Sequence, residues 1–128
     1  MTIYALSSGS GISGIAVIRV SGKNTAEVIK KLTGSKLPSP RVATLKKFNK
    51  NGKKELIDEG VIIWFPAPNS YTGEDLAEFH VHGSRAVINA MHSFISKMKN
   101  CRLAEPGEFT KRAFQNGKIN LLKAESIA

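Results

Sequence analysis

Asn51-Gly52 stands between two runs rich in β-forming residues, and no other feature limits the fold of this chain so strongly. Tight two-residue hairpins need positive φ at both central positions, which Asn and Gly tolerate, so the dipeptide predicts a hairpin. Its arms run from Val42 to Phe48 and from Leu56 to Phe65. The second arm ends in Val61-Ile62-Ile63-Trp64-Phe65, an unbroken apolar run that predicts a central strand. Pro66 and Pro68 stop it, since proline cannot donate to a sheet ladder.

The remaining elements follow by the same reasoning. Thr2 to Leu6 and Ile15 to Val20 are β-type runs separated by a Ser/Gly loop at residues 7–14. Asn24 with Glu27 three residues on predicts a capping box, and Val28, Ile29 and Leu32 give a helical stripe that Gly34 ends. Ala86 to Met98 has helical spacing with Ser84 as N-cap, a short strand follows near Cys101 to Ala104, and a helix is predicted from Glu108 to Gln115. Asn116-Gly117 closes that helix. Asn120 then opens a pattern of Leu121, Leu122, Ala124 and Ile127 that stops in mid-period. The expectation is an N-terminal domain over residues 1–119, with 120–128 the start of a truncated helical domain. The predicted fold is α/β (α+β): a mixed sheet of about five to six strands with about three helices.

Bulk properties narrow the class. The 128 residues suit one domain with an ordinary core. No stretch approaches the ~20 apolar residues of a membrane helix, and no signal peptide is evident at the N-terminus. The single cysteine, Cys101, excludes an internal disulfide and fits a reducing compartment, so a cytoplasmic protein with no membrane partner is expected. The net charge of +9 favours anionic partners. Nine of the nineteen basic residues lie between Lys30 and Lys54, where no acid occurs and Phe48 is the sole aromatic. That segment is read either as a solvated lysine-rich surface or as an RNA contact without a base-stacking platform.

Several short motifs carry nothing. Gly9-Ser10-Gly11-Ile12-Ser13-Gly14 matches a dinucleotide fingerprint, but a β-branched run follows where a helix must hold the pyrophosphate. Gly22-Lys23 lacks the upstream glycine of a P-loop, since residue 17 is Val, so no GTP or ATP site is predicted. His80 and His82 share one side of a strand, but His92 is the only other histidine, and a metal needs a third convergent ligand. Nothing places Cys101 beside an imidazole, so a packed thiol is expected. No catalytic residue and no metal site are assigned.

Two stretches do carry chemistry. Tyr71-Thr72-Gly73 leads into Glu74-Asp75-Leu76-Ala77-Glu78-Phe79-His80-Val81, which holds three of the chain's ten carboxylates. Strand alternation puts Glu74, Leu76, Glu78, His80 and His82 on one side, with Asp75, Ala77, Phe79 and Val81 on the other. The second stretch is Glu105-Pro106-Gly107-Glu108-Phe109-Thr110-Lys111-Arg112-Ala113-Phe114-Gln115-Asn116-Gly117-Lys118. Phe109, Ala113 and Phe114 mark a core face, from which Lys111 and Arg112 point away. Lys118 follows the helix terminus, where a lysine either holds an anionic ligand or balances the helix dipole.

These stretches, together with Ile15-Ala16-Val17-Ile18-Arg19-Val20-Ser21-Gly22, Trp64 to Asp75 and His82-Gly83, resemble the N-terminal domain of the tRNA-modification GTPases of the MnmE/TrmE family. The likeness covers essentially the whole chain. Ser84 stands where a second glycine often follows His82-Gly83, and Asn120 where aspartate is usual. The resemblance implies a fold like the folate-binding domains of aminomethyltransferases. It implies binding of 5-formyl-tetrahydrofolate or a related reduced folate as a one-carbon source, and a homodimer. It also implies a MnmG/GidA-type flavoprotein partner and tRNA as substrate. GTP, potassium and magnesium would belong to a GTPase domain absent from this chain, which alone should not hydrolyse GTP. Carried over position by position, the folate contacts fall on Arg19, Glu78 and Lys118. Glu78 suits the paired N–H donors of a pterin, and partial burial against Phe79, Trp64 or Tyr71 would strengthen such contacts.

Overall fold

The computed structural model describes residues 1–7, 14–50, 52 and 55–119. Six strands and three helices lie among them: β1 (Thr2–Leu6), β2 (Ile15–Ser21), α1 (Thr25–Thr33), β3 (Thr44–Lys50), β4 (Glu55–Phe65), β5 (Leu76–His82), α2 (Arg85–Ser96), β6 (Cys101–Leu103) and α3 (Glu108–Gln115). The strand order is β3-β4-β5-β2-β1-β6. The pairs are antiparallel except β1 with β6, so the sheet is mixed, as expected. The strand built on Val61 to Phe65 lies between β3 and β5, well inside the sheet. Gly52 has φ 64, as a hairpin turn requires, while Asn51 lies outside the described residues. So do most of the glycine-rich loop and the helical pattern from Asn120 onward.

Alternation along the strands sorts side chains onto two unlike faces. One face carries Ile18, Val20, Ile62, Trp64, Ala77, Phe79 and Val81, all buried. It is covered by Val28, Ile29 and Leu32 of α1 and by Met91 and Ile95 of α2. The rings of Phe48 and Phe79 meet edge to face there, 5.4 Å apart. On the opposite face stand Arg19, Glu78, His80, Val61, Leu45 and Ile15. The last two are 65% and 60% exposed.

Local signals explain most boundaries. Gly34 ends α1 with φ 62 and its N–H on Lys30 O. Ser84 caps α2, its hydroxyl accepting from Val87 N–H. The capping box at Asn24 does not form: the side chain makes no cap hydrogen bond and instead donates through Nδ2 to Lys99 O at 2.8 Å. Thr25 ties the start of the helix to the preceding turn instead, its hydroxyl donating to Gly22 O at 2.8 Å. Gly60 admits the chain past β5, since a Cβ there would lie 2.1 Å from His80 O. No helix among the described residues is long and apolar enough to cross a membrane.

Candidate functional site

The uncovered face of the sheet carries the charged residues that the core cannot hold. Arg19 on β2 and Glu78 on β5 are direct cross-strand partners, so their side chains rise from the same row. Arg19 Nη2 lies 3.3 Å from Glu78 Oε2, with the two side chains 26% and 21% exposed. The other carboxylate oxygen of Glu78, Oε1, lies 3.2 Å from His80 Nε2, two residues along the same strand. Glu78 is therefore held from two sides.

Aromatic rings shape the space around Arg19. Its guanidinium carbon lies 5.4 Å from the Tyr71 ring centre and 5.8 Å from that of Phe109, within cation–π range of both. Arg19 Nε is buried with no hydrogen-bond partner. An unanswered buried donor is costly in a protein that satisfies nearly all the others, and it marks a place where an acceptor would be welcome.

Tyr71 belongs to the turn before β5, and Phe109 to α3. A polar network fixes the two together. Ser21, Thr72 and Glu74 are linked by hydrogen bonds of 2.7 and 2.8 Å through the Ser21 hydroxyl. Arg112 Nη1 reaches Glu74 Oε1 at 3.0 Å, and Arg112 Nη2 reaches Glu108 Oε2 at 3.3 Å and Met1 O at 2.7 Å. Arg102 grips both oxygens of Glu108, at 2.7 and 2.5 Å. The Arg102 guanidinium, with help from the Glu105 N–H, holds the Glu108 carboxyl down at about 2, and burial only partly offsets it.

Lys118 arrives by the same route. Its N–H donates to Ala113 O at 2.8 Å, and Asn116 Nδ2 donates to Thr72 O at 2.8 Å, so the loop after α3 is laced to the turn. Gly73, at φ 81, makes the approach feasible: a Cβ there would meet Asn116 Cβ at 2.9 Å and Lys118 Cγ at 3.5 Å. Arg19, Glu78, Tyr71 and Phe109 thus share one region of the open face, and the loop bearing Lys118 packs against the turn that carries Tyr71.

Several expectations change here. Phe79 and Trp64 cannot flank Glu78, because both are buried on the helix-covered face. Of the three rings expected there only Tyr71 remains, and it and Phe109 lie against Arg19, the ion-pair partner of Glu78. Phe109 was expected in the core, and its contact with Arg19 was not legible from helical spacing alone. Arg112, expected to turn from the core face, is only 14% exposed because it is tied to three polar partners, Glu74, Glu108 and Met1 O. Phe114, expected in the core, is 48% exposed. Glu74 sits before β5 rather than in it, bound to Ser21 and Arg112. His82 is paired with Asp58 through Nδ1 at 2.8 Å, away from Glu78. Cys101 is buried on β6, and burial pushes its thiol up, as suits a packed side chain rather than a nucleophile. Among the described residues no three metal-ligating side chains converge.

Comparison with known proteins decides the family. Residues 2–118 match the family model described as GTP-binding protein TrmE N-terminus. The chain belongs to this family.

Relatives of this TrmE-type domain agree. It is 74% identical, over 100% of its length, to the tRNA modification GTPase MnmE of Pelagibacter ubique (strain HTCC1062), covering 29% of that protein. It is 50% identical, over 99% of its length, to the protein of the same name in Paramagnetospirillum magneticum, covering 28%. With 49% identity it also matches 99% of its length to the mitochondrial 5-taurinomethyluridine-[tRNA] synthase subunit GTPB3 of Danio rerio, covering 25% of it. The TrmE-type chain therefore spans less than a third of the length of the curated relatives it matches.

Proposed function

We propose that this chain binds a reduced folate, 5-formyl-tetrahydrofolate or a close relative, and forms a homodimer. In this reading it serves a GTP-dependent enzyme that modifies the wobble uridine of tRNA with a flavoprotein partner of the MnmG/GidA type. The observation that carries the reading is Arg19, whose buried Nε has no partner while its guanidinium sits between Tyr71 and Phe109 beside Glu78.

The donor set fits a folate. A carboxylate offers about four acceptor positions, and Arg19 and His80 take one contact each, which leaves room for the adjacent N–H and NH₂ donors of a pterin. Tyr71 and Phe109 supply flat apolar surface for a planar ring. Arg19 Nε can donate to a ring or carbonyl oxygen, and Lys118 suits the anionic glutamate tail. The cofactor would supply one carbon; the residues named here bind and orient it. The exposed Ile15 and Leu45, on the same face, support self-association. The relatives' names support tRNA as the substrate of the complete protein.

Calorimetric titration with 5-formyl-tetrahydrofolate tests this. The unaltered chain should bind, and Glu78→Ala should lose about 1–3 kcal/mol, the cost of removing a charge-assisted acceptor from a partly buried site. Absence of heat with the folded, unaltered chain would remove the folate reading.

A further inference from the structure

The basic run from Lys30 to Lys54 has no part in the folate site, and the fold gathers its described residues onto one side of the domain. Lys30 and Lys31 sit in the last turn of α1, exposed. α1 packs beside β3, and Lys46 Nζ reaches Ser35 Oγ at 3.3 Å, closing the gap between that edge strand and the loop after α1. The loop then brings Lys36 and Arg41, both exposed, to the same edge, where Pro40 bridges to Trp64 and Arg41 N–H donates to Trp64 O at 2.8 Å.

Local effects account for only part of this charge. Lysines on an edge strand discourage sheet-to-sheet pairing, which covers Lys46, Lys47 and Lys50. Lysines at a helix C-terminus favour the dipole, which covers Lys30 and Lys31. Lys50 is partly answered by Glu55 at 3.5 Å, and Lys47 stands opposite Glu59 in the ladder. Neither effect requires Arg41. Its φ is 61, a left-handed conformation that is strained for a residue with a Cβ and where Gly or Asn is the ordinary occupant. An exposed guanidinium is held there in spite of that strain. Among the described residues, Lys30, Lys31, Lys36 and Arg41 have no carboxylate partner.

We propose that the end of α1, the 34–41 loop and the β3 edge form a docking surface for the phosphate backbone of a structured RNA. The choice of RNA over other polyanions rests on the tRNA-modification reading above; the surface itself does not. Phe48, the only aromatic of the run, is fully buried, so the surface has no platform on which to stack bases. It therefore suits the phosphates of a duplex stem, contacted without regard to sequence, rather than an unpaired loop. The apolar stripe of α1 is consumed by the core, which leaves that helix without a face to insert into a lipid surface.

The test is fluorescence anisotropy of labelled unfractionated tRNA with this chain, at a series of salt concentrations. A second chain carries Lys30→Gln, Lys31→Gln, Lys36→Gln and Arg41→Gln together. The unaltered chain should bind with affinity falling steeply with salt, and the four substitutions should flatten the slope of log K against log salt by about 3. Equal slopes, or no tRNA binding by the unaltered chain, would overturn the proposal. So would sedimentation with vesicles rich in phosphatidylserine when tRNA does not bind. Circular dichroism confirms that the quadruple variant is folded. Its folate titration should match the unaltered chain, which separates failure of this surface from failure of the folate site.

Discussion

His92 shows how one residue sets a pH limit on the domain. It projects from α2 against Tyr4, with ring centres 5.3 Å apart, and its Nε2 is buried without a partner. Burial lowers its pKa from the ordinary 6.5, because a charged imidazole there would lose its water. The folded state therefore resists the proton that the unfolded state accepts. Stability contributed by neutral His92 is complete above pH 6.5 and declines as pH falls below it. Urea titrations at stepped pH should show this decline in the unaltered chain and less of it in His92→Phe. Identical pH profiles would mean that some other group controls the acid limb. Residues of this kind were not legible in the sequence: His92 read only as a third, unpaired histidine. Arg19 and Glu78 were legible through resemblance and strand alternation, whereas the ring of Phe109 beside them required α3 to be placed.

At the scale of elements, the decisive contact is the clamp that seats α3 and, through it, the Lys118 loop. α3 has only eight residues, too few to be stable alone, and Ala113 is its only buried residue. The weight falls on Arg102, Glu108, Arg112 and Glu74. Since the Glu108 pKa is lowered from 4.5 to about 2, its contribution is present above pH 4.5 and is lost as pH falls toward 2. The stability gap between the unaltered chain and Glu108→Gln should accordingly be widest near neutrality and narrow across that window. A gap that stays constant down to pH 2 would place the loss in packing instead. The sequence predicted the bounds of α3 well, because Pro-Gly before it and Asn-Gly after it are strong local signals. It did not reveal the partners of Arg112, because helical periodicity reports the apolar face but not which polar residues find partners from distant loops.

For the whole molecule, the consequence of two helices on the same side of a six-stranded sheet is a second side that Tyr71 and Phe109 shield only around Arg19. Ile15 and Leu45 stand exposed there, with Val61 between them across the sheet. If a second copy covers this face, sedimentation equilibrium should give a dimer for the unaltered chain and a shift toward monomer for Leu45→Asp. A unaltered chain that remains monomeric at high concentration would count against the homodimer. The fold class was readable because hairpin chemistry and apolar runs are local, whereas strand order was not, since it joins residues far apart in sequence.

The parallel pairing of β1 with β6 has a bearing on how the domain comes to be made. Thr2 lies opposite Cys101, and Ala104 N–H donates to Tyr4 O. The first strand therefore has one ready neighbour in β2, but must wait for almost the whole domain to be synthesised before the other arrives. Until then a nascent chain presents β1 as an open edge, which is where premature association with other chains would begin. Pulse-labelled hydrogen exchange during refolding should accordingly find the amides of β2 and β5 protected before those of β6.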